Sequence, residues 1–172
     1  MPKLPGRLGE LTARDIMAGA VIAVRETDSL QQAIETLRSE HITGAPVVDA
    51  AGKLVGILSL HDLIAPSAAG GERPSSVPLS HGPDRTSWEL FDRAGSPAEE
   101  HAGQTVKDRM STQVASVAAE ATLVDAARLM CNGHWHRVPV VDRSGEIVGI
   151  ISTMDVLAAV VNAADEADQR SR

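Results

Sequence analysis

The chain has 172 residues, 43% of them hydrophobic, enough to bury one sizeable core or two small ones. Acidic residues outnumber basic ones by 23 to 16, and the net charge of −7 argues against a nucleic-acid binder, which needs a basic stripe. No apolar run approaches the roughly 20 residues that span a bilayer, and the lone cysteine, Cys131, excludes an internal disulfide framework.

Residues 1–11 read as an N-terminal extension without the apolar stretch of a signal peptide. With the single cysteine, this gives the expectation of a soluble cytoplasmic protein in a reducing compartment. Residues 12–64 then follow one pattern. A short apolar segment, Val21–Val24, reads as a strand. Leu30, Ala33, Ile34 and Leu37 fall at helical spacing behind Ser29, a suitable N-cap. Ala45-Pro46-Val47-Val48-Asp49, the turn at residues 50–53 and Leu54–Ser59 read as a β-hairpin. A closing helix is expected from Ser59, with Asp62 in its first turn.

Residues 65–104 are rich in Pro, Gly, Ser and Ala and read as a linker. Within it, Trp88, Leu90 and Phe91 suggest a short helical turn. Its aromatics either cover an edge of the core or dock a partner.

Residues 105–160 then repeat the first pattern without a gap. A fixed offset carries Thr12, Asp15 and Met17 to Thr105, Asp108 and Met110. The same offset carries Pro46–Asp49 to Pro139–Asp142, and Gly56, Ser59 and Asp62 to Gly149, Ser152 and Asp155. Thr122 takes the place of the N-cap, and Leu123, Ala126, Ala127 and Met130 the apolar helix face. Cys131, beside Met130, reads as inert packing, and residues 161–172 as a C-terminal tail, polar and fraying from Ala163 to Arg172. The fold class is therefore α/β, with two βαββα repeats whose apolar faces need each other's cover.

The repeats converge on Gly-Ile-Leu-Ser-Leu-His-Asp (56–62) and Gly-Ile-Ile-Ser-Thr-Met-Asp (149–155). Each delivers a hydroxyl at a helix start and a carboxylate one turn later. Helix N-termini favour anions such as phosphate, and a carboxylate can accept both hydroxyls of a ribose. The same spacing also serves as a capping pair. Its recurrence after Gly-Ile in both repeats shifts the balance toward the ligand reading.

The doubled pattern Pro-Val-Val-Asp-x-x-Gly-x-hydrophobic-Val-Gly-Ile-x-Ser-x-x-Asp resembles a tandem pair of CBS (cystathionine-β-synthase) domains, a Bateman module. The resemblance implies a pseudo-twofold pair with two clefts for adenosine nucleotides: AMP, ADP or ATP, and in some members NAD or S-adenosylmethionine. It implies no required cofactor and no metal. It assigns Ser152 and Asp155, with Ile22, Ala23, Thr43, Gly44 and Ala45, to one cleft. Ser59 and Asp62, with Arg137, Val138, Ala115 and Ser116, go to the other. In adenylate-sensing members a His-Arg pair at the place of His136 and Arg137 approaches the phosphates, so the cleft with Ser152 and Asp155 is expected to be the better site. The first repeat has Thr43-Gly44 there and no cation.

The resemblance further implies a regulatory module, working as a homodimer and reporting nucleotide level to a partner protein, with Trp135 and Leu157–Val161 as candidate contacts. A ligand-independent scaffold with vestigial clefts is the alternative. Catalysis is not expected, since no Gly-x-Ser-x-Gly, Walker or Gly-x-Gly-x-x-Gly motif occurs. His134 and His136 could face one way on a strand, but no cysteine or carboxylate cluster joins them as metal ligands.

Overall fold

The computed structural model describes residues 6–64, 88–89, 91–92 and 102–170. The chain divides into two compact units, residues 22–114 and residues 1–21 with 115–172. Each unit therefore combines strands of one repeat with the lead-in segment of the other.

In the unit of residues 22–114, the strands are β1 (Val24–Arg25), β2 (Gly44–Val48) and β3 (Leu54–Ser59), in the order β1-β2-β3. β1 runs parallel to β2, and β2 and β3 form the expected antiparallel hairpin. The strand expected at Val21–Val24 has only two rungs, Val24 to Val47 and Arg25 to Val48. Pro46 lacks the N–H that would carry the parallel ladder one step further back, so pairing stops there. At the hairpin tip Asp49 Oδ1 accepts from the N–H groups of Ala51 and Lys53, while Gly52 takes φ 80°. That left-handed conformation is why glycine stands in the turn.

Helix α2 (Leu30–Ser39) begins where expected: Ser29 Oγ accepts from Gln32 N at 3.2 Å, and Gln32 Oε1 accepts from Ser29 N at 3.0 Å. Its buried face is Leu30, Ala33 and Leu37. These pack with Val47, Leu58 and Leu63, the last from the short helix α3 (Leu60–Ile64). Phe91 is 1% exposed in the same core, so of the two alternatives for this linker aromatic the structure shows core cover. Trp88 meets it edge-on, ring centroids 5.6 Å apart. Leu90 and most of residues 65–104 lie outside the described residues.

Val106 and Met110 complete this core from the second repeat's lead-in. Val106 N donates to Asp28 O at 2.9 Å, and Ser111 and Ile57 exchange two backbone hydrogen bonds, each 2.9 Å. Gly56 has no side chain because Met110 lies over it; a Cβ there would run into the thioether.

The other unit repeats this plan with β4 (Val117–Ala118), β5 (Arg137–Val141) and β6 (Ile147–Ser152), helix α4 (Leu123–Gly133) and helix α5 (Thr153–Arg170). Here the lead-in is residues 11–18, with the short helix α1 (Ala13–Ile16). Ala13 N donates to Ala121 O and Arg14 N to Ala119 O, and Ala18 pairs with Ile150. Met17 lies over Gly149 as Met110 does over Gly56.

Two expectations need correction. The tail does not fray at Ala163: α5 continues to Arg170, with the strong helix formers Ala163, Ala164 and Ala167 in its last turns. Ala159, Asn162, Ala163 and Glu166 line a surface pocket with Leu11, Asp15 and Ile16, so the helix runs along the lead-in segment. Cys131 is exposed, not packed, because it sits about 100° around α4 from Met130, which faces the core.

Candidate functional site

The β-hairpin and the helix after it fix the Ser-x-x-Asp motif. β6 ends at Ser152 and α5 starts at Thr153, placing Asp155 in the first helical turn. Asp155 Oδ2 accepts from Ser152 N at 2.7 Å and from Ser152 Oγ at 2.7 Å. The first repeat matches it: Asp62 Oδ2 accepts from Ser59 N at 2.8 Å and from Ser59 Oγ at 2.6 Å. The capping role is therefore present in both repeats, and it uses one carboxylate oxygen of each aspartate.

The second oxygen separates the repeats. Asp62 Oδ1 accepts from Ser111 Oγ at 3.2 Å, and the residue is only 8% exposed. Asp155 is half-buried, and no donor among the described residues reaches its Oδ1. The cause is one residue: where Ser111 pairs with Ile57, Ala18 pairs with Ile150 and offers no hydroxyl. Sequence reasoning missed this contrast. Comparing the two lead-ins at that position would have revealed it.

The residues before each hairpin proline stand beside their own repeat's motif, so Arg137 neighbours Ser152 and Gly44 neighbours Ser59, whereas the resemblance grouped Arg137 with Ser59 and Gly44 with Ser152. Arg137 is in register with Ser152 across β5 and β6, and Thr153 N donates to His136 O at 3.0 Å. In the first repeat Gly44 is in register with Ser59, and Leu60 N donates to Thr43 O at 2.9 Å. Arg137 and His136 are both half-buried. The unit with Asp155 thus joins a guanidinium, a hydroxyl, a carboxylate oxygen and the start of an 18-residue helix.

The other expected site residues have varied surroundings. Ala45 and Val138 are 0% and 1% exposed and belong to the cores of their units, so only their backbone could meet a ligand. Ile22 is exposed, and Ala23, Thr43, Gly44, Ala115 and Ser116 are half-buried. Ile22, Ala23, Thr43, Gly44 and Ala45 belong to the unit of Ser59 and Asp62; Ala115, Ser116 and Val138 belong to that of Ser152 and Asp155.

Both rival histidines have a backbone explanation or a place in the hairpin. His134 closes α4 in the left-handed conformation, φ 53°, and His41 does the same after α2 with φ 54°. This accounts for their matching positions. Trp135 packs against the core of its unit and covers Gly133. Among the described residues, no three His, Cys, Asp or Glu side chains group as a metal site, and no helix is long and apolar enough to cross a membrane.

Asp108, Asp125 and Asp142 are held below the ordinary carboxylate range, away from these motifs. The causes are the Thr105 N–H, the Thr122 hydroxyl and the Ser144 hydroxyl respectively. All three are local turn or cap contacts.

The family model described as "CBS domain" matches residues 13–67 and 106–162. The chloroplastic CBS domain-containing protein CBSX2 of Arabidopsis thaliana is 31% identical over 92% of this chain, which spans 67% of that protein. Its relative CBSX1, also chloroplastic, is 31% identical over 86% of this chain, which spans only 62% of it. The crystal structure of CBSX2 in complex with AMP superposes with a TM-score of 0.63 at 28% identity, covering 88% of this chain and 97% of that one. The cytosolic domain of the Mg2+ channel MgtE in complex with ATP gives a TM-score of 0.59 at 27% identity, covering 88% of this chain and 51% of that one. The duplicated hairpins, the Ser-x-x-Asp turns and these matches agree: the chain belongs to the CBS domain family and carries two CBS domains.

Proposed function

We propose that this CBS pair is a regulatory, non-catalytic module that binds an adenosine-containing nucleotide, with AMP, ADP or ATP favoured over NAD or S-adenosylmethionine. The observation that carries the reading is the arrangement around Asp155. Its Oδ1 accepts from no described residue, while Arg137 stands across the ladder from Ser152. A ribose diol would donate to that oxygen. The Arg137 fork, the Ser152 hydroxyl and the first N–H groups of α5 suit phosphate oxygens. The AMP complex of CBSX2 and the ATP complex of MgtE, both more than a quarter identical to this chain, support the choice of ligand class.

Binding would act by population shift, limited to the ligand's differential affinity for the states it selects. The regulated partner is a protein in this reading. The module works as a cytoplasmic homodimer, for which Met154, Leu157, Val160 and Val161 on α5 offer exposed apolar surface. Calorimetric titration with AMP, ADP, ATP, NAD and S-adenosylmethionine tests the ligand. Saturable heat with an adenine mononucleotide is expected; no heat and no thermal shift with any of the five refutes the reading.

A ligand-independent scaffold is the second reading, favoured by one observation. Ser59 with Asp62 and Ser152 with Asp155 already satisfy each other as caps. It predicts that a substitution at Asp155 changes stability and leaves partner binding unaltered.

A further inference from the structure

From the contrast between Ser111 and Ala18 we infer that Ser111 is a specificity-determining residue that closes the Asp62 anchor, so the chain holds one nucleotide, at Asp155. The inference rests on the nucleotide reading above and sharpens it to a count and a cause. Both aspartates spend Oδ2 on the preceding serine's N–H and hydroxyl. Recognition of a ribose diol therefore falls to Oδ1, which must accept two hydroxyls in a defined direction.

At Asp62 that oxygen already takes the Ser111 hydroxyl at 3.2 Å, and the side chain has 8% of its surface left to solvent. A nucleoside arriving there must break a charge-assisted hydrogen bond and uncover the carboxylate before making its own. At Asp155 neither cost arises, because Ala18 stands at the position of Ser111 and bonds Ile150 through its backbone alone. The cation follows the same division: Arg137 is in register with Ser152, whereas Gly44 is in register with Ser59. Two independent differences thus disable the same repeat. Ser111 lies in the lead-in of the second repeat, so the segment exchanged between the repeats sets the availability of the first repeat's anchor.

The test is a reciprocal exchange in the full chain, read by calorimetric titration with AMP. The unaltered chain should bind one equivalent, and Asp155→Asn should abolish it. S111A should add a second equivalent, its affinity at the Asp62 anchor rising about tenfold, that persists in the S111A variant carrying Asp155→Asn. A18S, at an exposed position, should weaken the Asp155 site by a comparable factor. Two equivalent sites in the unaltered chain, or S111A leaving the count at one with Ala18→Ser inert, overturns the inference and leaves the nucleotide reading standing. No heat from any of these proteins with AMP, ADP, ATP, NAD or S-adenosylmethionine, with circular dichroism confirming their fold, overturns both.

Discussion

Replacing Phe91 with alanine tests whether the linker is part of the core. The ring is 1% exposed and packs among Leu30, Leu37, Leu58 and Leu63, so its removal forfeits nearly the whole side chain's burial. Transfer alone is worth about 2–3 kcal/mol for a buried phenylalanine, and the residual cavity raises the expected cost to about 3–5 kcal/mol. The edge-on contact with Trp88 adds up to about 1 kcal/mol. Set against a domain stability of about 5–15 kcal/mol, the loss is large. The neighbouring Arg38–Asp92 pair, 2.7 Å but more than half exposed on both sides, is the control: Asp92→Ala should cost under about 1 kcal/mol. Urea unfolding followed by far-ultraviolet circular dichroism supplies both values. A Phe91→Ala cost below about 1 kcal/mol, or one no larger than that of Asp92→Ala, refutes the placement of Phe91 in the core and returns it to a docking role.

Gly149→Ala should destabilise by about 1–3 kcal/mol, because the new methyl meets Met17. Met17→Ala should be non-additive with it in a double-mutant cycle, and additive costs would contradict the packing of the first lead-in on the second repeat's sheet. His134→Gly should stabilise by up to about 1 kcal/mol in thermal denaturation, since glycine relieves a left-handed residue at an entropic cost smaller than the strain; a clear loss would contradict that. Asp108, Asp125 and Asp142 have pKa values lowered in the fold, so their stabilisation is present above the unfolded carboxylate range and lost as pH falls from there through the lowered folded values. The melting temperature should therefore drop below about pH 4 and drop less steeply in Asp142→Asn, and an unchanged acid limb would refute this.

The repeat, the caps at Ser29 and Thr122, the hairpins and the Ser-x-x-Asp turns were legible because each depends on neighbours within a few residues. What was not legible depends on contacts distant in sequence. Thr12, Asp15 and Met17 of the first lead-in recur as Thr105, Asp108 and Met110 of the second, so nothing in those shared residues says which sheet Met17 covers. The short β1 was hidden by apolar residues at Val21 and Ile22, which read as strand until Pro46 withholds its N–H. At Ala163 composition suggested fraying, while alanine content and the groove beside Leu11 and Ile16 extend the helix. The candidate site was legible in its two aspartates and in the cation that makes them unequal, but not in the Ser111 hydroxyl, which reaches Asp62 from far along the chain. Arg137 was noticed for its charge, yet its position opposite Ser152 follows only from the hairpin register.

The most direct test of nucleotide binding at Asp155 is an AMP titration of Asp155→Asn beside the unaltered chain. Asparagine keeps an oxygen to accept from Ser152 N and removes the second acceptor, so the cap survives while the ribose contact does not. Saturable binding to the unaltered chain and a loss of at least about tenfold in the variant are expected, with melting temperatures close together. Equal affinity in the two proteins would contradict nucleotide binding at Asp155.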